Sequence, residues 1–393
     1  MIDGDRTKMF LRMSLNKHTF HVIFIAFIFF LLSVQAFSIN FYSISIKPFH
    51  IFAMILLIVS PVVMRINISK WLPLFAFFFY LFSSSIISLV TTKPFTHSLL
   101  ILNYFFAFLV CILGGQIGRI FKYESIVLAL RMASGLLLLA TLIKILFSWQ
   151  DIYEYLQDPY AHPELFWLYG GGPNLEATWL VMNAAFFRRS KFFWSFWFLS
   201  LAISVLYASR AAILLGIVLA LLELISERRW RTFVAFFCMI LLSGIFVYLV
   251  NPHSFERFMQ IGQETGSVTR LEMWSGAITA IQQMPITGFG AGNAITAIEW
   301  ITNKDFLEDN VHNYFLQVLL DFGPLGLLIW LCFVSFVLRR SHILTKKDEI
   351  GTYIVLYFVA SLVQFRGAEP LFWFVMGIFI SSRNKKVGRM GDV

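Results

Sequence analysis

The sequence predicts an all-α polytopic membrane protein with about twelve transmembrane helices and one large, partly helical loop on the outward side. Three observations carry that reading. Of 393 residues, 59% are hydrophobic and 18% aromatic. Only 13% are charged, against roughly 25% in an ordinary soluble protein, too few to keep 45 Phe and 11 Trp from water. The apolar residues also arrive in blocks of about 20, the length an α-helix needs to cross ~30 Å of hydrocarbon.

In chain order the blocks fall at approximately 20–37, 46–64, 71–90, 98–117, 125–147, 173–187, 192–208, 211–226, 232–250, 312–338, 351–366 and 369–382. They form a single integral-membrane domain over 1–393. The first block is of spanning length and lacks a small-residue cleavage site, so it reads as a span and not as a cleavable signal. Alternate connections differ sharply in charge. Most of the 31 basic residues sit on one side, in clusters such as Arg188, Arg189 and Lys191, or Arg339, Arg340, Lys346 and Lys347. The opposite connections hold isolated cations, Lys47, Lys93, Arg210, Arg257, Arg270, Lys304 and Arg366. The positive-inside rule then puts both termini in the cytoplasm. Short clusters between apolar blocks are topology signals, and without a continuous basic stripe the net charge of +9 does not point to nucleic acid. Cys111, Cys238 and Cys332 each lie within an apolar block, where thiols serve as small apolar side chains and not as a disulfide framework or zinc site.

Two outward connections are long. Residues 148–172 contain acidic side chains and no Lys or Arg, and residues 251–311 form the only connection large enough for structure of its own. Within it, apolar residues at 271, 274, 278 and 281 recur as on one face of a helix. Thr269 is a plausible N-cap and Met284-Pro285 a stop. Such a helix suits the membrane surface, with Trp274 at headgroup level. The following Gly288-Phe289-Gly290 run does not follow a strand in a βαβ unit, so it is not a dinucleotide fingerprint.

Several side chains at this outer face could carry chemistry. His312-Asn313 opens the tenth span, where an imidazole can take a proton near neutral pH; the alternative is a helix-start histidine that caps backbone groups or faces water. Arg210 ends the seventh span on the side poor in cations. Its planar donor fork suits phosphate oxygens, and the alternative is an arginine snorkelling to lipid headgroups. Arg270 faces the same choice, with an intrahelical ion pair as a further alternative. Arg366 and Glu369 occupy the last outer turn, where a mutual salt bridge is the simplest reading. Glu176 follows Gly170-Gly171-Gly172-Pro173 near the outer end of a short span, and a carboxylate there must pair or reach water. Arg131 and Lys144, inside the fifth span, are explained by snorkelling.

Taken together, Ser209-Arg210, Arg270-x-x-x-Trp274, Pro285-x-x-Gly288-x-Gly290, His312-Asn313-x-x-Leu316 and Gly323-x-x-Gly326 resemble the O-antigen polymerase and O-antigen ligase superfamily of bacterial envelope biogenesis. The likeness covers roughly residues 170–330. It implies a metal-independent, inverting glycosyltransferase without a cofactor, set in the bacterial inner membrane with its active site facing the periplasm. Donor and acceptor would be glycans on undecaprenyl pyrophosphate. Membrane lipids, a chain-length regulator and other polysaccharide-assembly proteins would be its partners. Carried over by the resemblance, Arg210 and Arg270 would stabilise the leaving pyrophosphate and His312 would deprotonate the acceptor. Asn313, Arg366, Glu176, Glu272 and Trp274 would contact substrate.

Polymerase and ligase share this donor chemistry. Nothing in the sequence selects a lipid A-core acceptor, which favours polymerisation of lipid-linked repeats, with the ligase as runner-up. A lipid-linked glycan transporter, the alternative from another class, would need charges spread through a central cavity. Here they cluster at the outer mouth, and no repeat of the two halves supports it.

Overall fold

A segment without water to bond its backbone must satisfy each N–H and C=O internally, and a helix does so within one element. The computed structural model describes residues 3–35, 39–41, 44–63, 68–91, 100–157, 166–227, 265–306, 308, 310–341, 348–364 and 367–382, with scattered residues between 238 and 249. Its helices are α1 (Asp3–Ser33), α2 (Pro48–Val63), α3 (Ile68–Thr91), α4 (Leu100–Ile120), α5 (Tyr123–Phe147), α6 (Trp149–Gln157) and α7 (Pro173–Asn183). They continue as α8 (Phe193–Leu206), α9 (Arg210–Glu227), α10 (Thr265–Ile281), α11 (Ala294–Thr302), α12 (Tyr314–Arg340), α13 (Glu349–Ala360) and α14 (Pro370–Ser382).

Eleven of the twelve expected blocks coincide with helix, and most of the block at 232–250 lies outside the described residues. Length divides the helices. Among the described residues four are long and apolar enough to cross a membrane: Ser69–Ser88, Leu100–Ile120, Tyr123–Phe147 and Tyr314–Arg340. Shorter apolar helices include Phe193–Leu206, Glu349–Ala360 and Pro370–Ser382. Among the described residues four helices, and not all twelve blocks, reach spanning length. The expected span at 173–187 differs most. It is the 11-residue α7 followed by a 3-10 turn at Ala184–Phe187, buried along nearly its whole length among α5, α8, α9 and α13. A second departure from an all-helical chain is the antiparallel hairpin of β1 (Ile39–Phe41) with β2 (Ile44–Ile46).

The tightest pairing is α4 with α14. A Cβ on Gly114 would stand 2.0 Å from the carbonyl oxygen of Phe374, and one on Gly377 would stand 1.9 Å from that of Cys111. Small residues let the two backbones touch, which is how helices gain packing energy where hydrocarbon offers no hydrophobic drive. Around this pair Phe77, Trp330, Phe333 and Trp373 form a buried aromatic cluster.

The 251–311 connection does carry its own structure. Helices α10 and α11 enclose a second small core of Met273, Ala277, Ala280, Ile295 and Ile298, closed by Phe289, Val311 and Leu320. The helix begins at Thr265, four residues before the expected cap at Thr269. Its buried face also differs from the expected one: Leu271 and Ile278 are exposed while Met273 and Ala277 are buried. The sequence pattern marked only the 271/274/278/281 stripe; Trp274 and Ile281 of that stripe do pack against this core, and the short side chains of Ala277 and Ala280 let α11 approach beside them.

Candidate functional site

The site is built around a break in α12. Gly323 has φ 72° and ψ −177°, and Pro324 follows it. Proline has no N–H, so the carbonyl of Leu320 loses its helical donor, and neighbouring carbonyls are freed by the kink. The glycine run after α10 replaces them. The N–H of Phe289 donates to Leu320 O at 2.8 Å, and that of Gly290 to Asp321 O at 2.8 Å. The Tyr80 hydroxyl donates to Phe322 O at 3.0 Å. Backbone lies directly on backbone: a Cβ on Gly288 would be 2.5 Å from Asp321, and one on Gly323 would be 1.9 Å from the carbonyl of Ile286. Only glycine fits both positions, each at positive φ.

Asp321, wholly buried, completes the junction. Its carboxylate accepts from the N–H groups of Gly292 and Ala294, each at 3.0 Å, at the start of α11. It also accepts from Gln317 Nε2 at 3.0 Å. Sequence reasoning missed both Asp321 and Gln317. The Asp in an apolar span was the available signal, because such a carboxylate requires partners.

Just before α12 stands His312, with φ 53°. Its neighbour Asn313 caps the helix, accepting from Leu316 N at 3.1 Å. The capping alternative for His312 thus belongs to Asn313. The His312 N–H donates to Asn310 Oδ1 at 2.9 Å. Its side chain is 14% exposed, and Glu308 Oε2 lies 3.0 Å from Nε2. That contact is out of line for a hydrogen bond, and neither ring nitrogen has a hydrogen-bond partner among the described residues. A buried imidazole with both nitrogens unbonded is a group available to a ligand.

Trp274 is joined to this turn: its indole N–H donates to Val311 O at 2.8 Å. Arg270 lies one turn earlier on the same side of α10, so the bond brings the Arg270 face of the helix to the His312 turn. Glu272 leaves in another direction, half exposed and 3.9 Å from Lys304 Nζ.

Arg210 opens α9 at the same end of the bundle. A line of contacts links it to α12: Ser209 Oγ to Asn174 O at 3.4 Å, Thr178 Oγ1 to Gln364 Oε1 at 2.8 Å, and Tyr314 N to Ser361 O at 2.7 Å. The turn before Arg210 contains Ala208 at φ 49°, and Tyr207 anchors it by donating to Glu176 Oε1 at 3.1 Å. Glu176 is fully buried and occupied. It accepts from Leu168 N at 2.7 Å and pairs with Lys144, whose ammonium lies 4.1 Å from the centre of the Trp167 ring. Lys144 does not snorkel; it is the counter-ion that makes Glu176 tolerable there. Arg366 lies outside the described residues, while Glu369 accepts from the Tyr357 hydroxyl.

The far end of the bundle holds a separate charge network. Buried Arg188 pairs with Glu223 at 2.9 Å and donates to Thr352. Arg131 donates to Phe186 O and pairs with Glu349 at 3.2 Å, so it too is bonded and not snorkelling. Among the described residues no three His, Cys, Asp or Glu side chains gather in a set that could hold a metal ion.

Residues 194–331 match the Wzy_C family model, described as O-antigen ligase. Over this stretch the chain is similar to the O-antigen polymerase and ligase superfamily. The stretch runs from α8 through the break in α12 and contains Arg210, Arg270, Trp274, the glycine run and His312. No curated protein matches the chain. Four described helices are long and apolar enough to cross a membrane, and the family matched over residues 194–331 is one of O-antigen polymerase or ligase type, whose substrates are lipid-linked glycans.

Proposed function

We propose that the chain is an inner-membrane glycosyltransferase that polymerises lipid-linked polysaccharide repeats at the periplasmic face. The donor is a glycan on undecaprenyl pyrophosphate and the acceptor a second lipid-linked repeat. The acceptor hydroxyl oxygen attacks the anomeric carbon from the face opposite the pyrophosphate. The bond from that carbon to the pyrophosphate oxygen breaks, its electron pair leaves with the pyrophosphate, and configuration inverts. His312 takes the hydroxyl proton as the new glycosidic bond forms. Arg210 and Arg270 stabilise the negative charge that develops on the leaving group, each through two donors of a planar fork. Charge stabilisation by fixed guanidinium groups makes a divalent ion unnecessary for the step.

The observation that supports this most is His312 itself. Its ring is largely buried and unbonded at both nitrogens, beside a turn joined to the Arg270 helix. A structural histidine would be expected to use those nitrogens. The charge distribution supports the orientation: the His312 end is poor in cations, while Arg188, Arg189 and Arg131 gather at the other.

A second reading, ligation of the finished glycan to lipid A-core, has the description of the matched family, O-antigen ligase, in its favour. The lipopolysaccharide of a deletion strain separates the two. A single repeat on core identifies a polymerase; bare core with accumulated lipid-linked polymer identifies a ligase. Unprocessed repeats trapped at the inner leaflet would overturn both in favour of transport.

A further inference from the structure

We infer that Gln317 and Asp321 are positioning residues that hold the imidazole of His312 through the main chain of Val311. The inference rests on His312 acting as the base, and it concerns what fixes that base in place. A catalytic histidine is commonly oriented by a second group bonded to its other ring nitrogen. Here neither nitrogen is hydrogen-bonded among the described residues, and the carboxylate beside the ring, Glu308 Oε2 at 3.0 Å from Nε2, is itself 44% exposed, so the backbone is what holds the ring's position.

That backbone is held on every side. Gln317 Oε1 accepts from the N–H of Val311 at 3.2 Å, and Gln317 Nε2 donates to Asp321 Oδ2 at 3.0 Å. The carboxamide orientation is forced, since an amide N–H only donates and the carboxylate accepts. Val311 O receives the Trp274 indole N–H, and Asn310 Oδ1 receives the N–H of His312. His312 itself is left-handed, a conformation that a side chain adopts only where its surroundings impose it. Asp321 is in turn fixed by Gly292 and Ala294, so the glycine run, the break in α12 and the His312 turn form one bonded unit. Release of Val311 lets the turn relax and the imidazole leave the line between acceptor and anomeric carbon. Donor contacts made by the arginines are untouched.

Gln317→Met tests this, because it keeps length and bulk and removes both bonds. In the purified full-length protein, turnover should fall about 10-fold to 100-fold, the range for a displaced reacting group, with the KM for lipid-linked donor unchanged. Modification of His312 by diethyl pyrocarbonate, followed by peptide mass, should become faster than in the wild type. Gln317→Glu should be similarly slow, since two carboxylates then face each other. Normal turnover with normal His312 reactivity in Gln317→Met overturns the proposal. So does a loss matched by an equal loss of donor affinity. His312→Gln run alongside separates the two ideas: if it keeps turnover the base lies elsewhere, and the reactivity measurement alone then judges the brace.

Discussion

The indole N–H of Trp274 and the carbonyl of Val311 meet at 2.8 Å, fastening the helix that carries Arg270 to the residue before His312. Trp274→Phe keeps the aromatic body against the small outer core and removes only the donor. We expect a stability loss of about 1 kcal/mol, the net value of one such bond, and a larger proportional loss of turnover because the two functional faces lose their register. A thermal melt and a transfer assay on the same preparation check this. Wild-type turnover would mean that packing alone sets the register.

The glycine junction gives a sharper structural test. Gly323→Ala must place a Cβ 1.9 Å from the carbonyl of Ile286, in a backbone conformation open almost only to glycine. Undocking of the 288–292 run should follow, seen as faster limited proteolysis after α10, with loss of activity. Gly135→Ala is the control. A Cβ there meets nothing within 4 Å on the helix α5, so stability should hold or rise by about 0.5–1 kcal/mol.

Lys144 and Glu176 form a buried pair whose members should not tolerate separate removal. Glu176→Gln leaves an ammonium without its counter-ion, and breaking a buried pair in this way costs about 3–5 kcal/mol. Glu176→Gln combined with Lys144→Met removes both charges and should recover most of that loss. Chemical denaturation in detergent compares the three proteins. Donor affinity close to wild type in the double variant would show that Glu176 acts on the turn before Arg210 and not on substrate.

Helix positions were legible because apolar run length reports them directly, and the helix α5 matches its block almost to the residue. The short α7 was not. Its apolar residues pack against protein, not lipid, and hydropathy does not distinguish the two. The same limit hid the partners of charges within spans: Arg131 and Lys144 meet carboxylates 218 and 32 residues away, separations that no local pattern records. At the site the motif residues stood out, yet their roles divided. Gly288, Gly290, Asn313 and Trp274 build the junction. His312 is the motif side chain whose ring nitrogens make no hydrogen bond among the described residues, with Glu308 Oε2 3.0 Å from Nε2. Asp321 was readable in principle, since Pro324 and an acid within one span foretell a broken helix with groups to satisfy.

If Arg210 and Arg270 grip pyrophosphate oxygens bidentately, lysine cannot replace them. A point charge on a flexible stem lacks the planar fork. Arg210→Lys and Arg270→Lys should each fail nearly as badly as the alanine variants, at normal protein levels. Steady-state transfer rates with purified protein provide the measurement. Full activity in both lysine variants would leave only a general electrostatic role.

His312→Ala and His312→Gln address the proton transfer itself. The residue sits in a turn held by its neighbours, with its own ring outside that bonding, so its replacement should leave fold and donor binding largely intact. Loss of a general base costs about 10²- to 10⁴-fold in rate, and we expect turnover to fall within that range for both variants. Glutamine is the more telling one. It retains hydrogen-bonding capacity but cannot accept a proton at neutral pH, so a residue that merely bonds the pyrophosphate would be partly replaced by it. Turnover and donor affinity measured together decide the matter. A fall in turnover at unchanged affinity supports the base, while a parallel fall makes His312 a binding residue. Near-normal turnover in either variant moves the base elsewhere. The next carboxylate to test is then Glu308, which lies 3.0 Å from Nε2 and is 44% exposed, ahead of Glu176, whose oxygens are already bonded to Lys144, Leu168 and Tyr207.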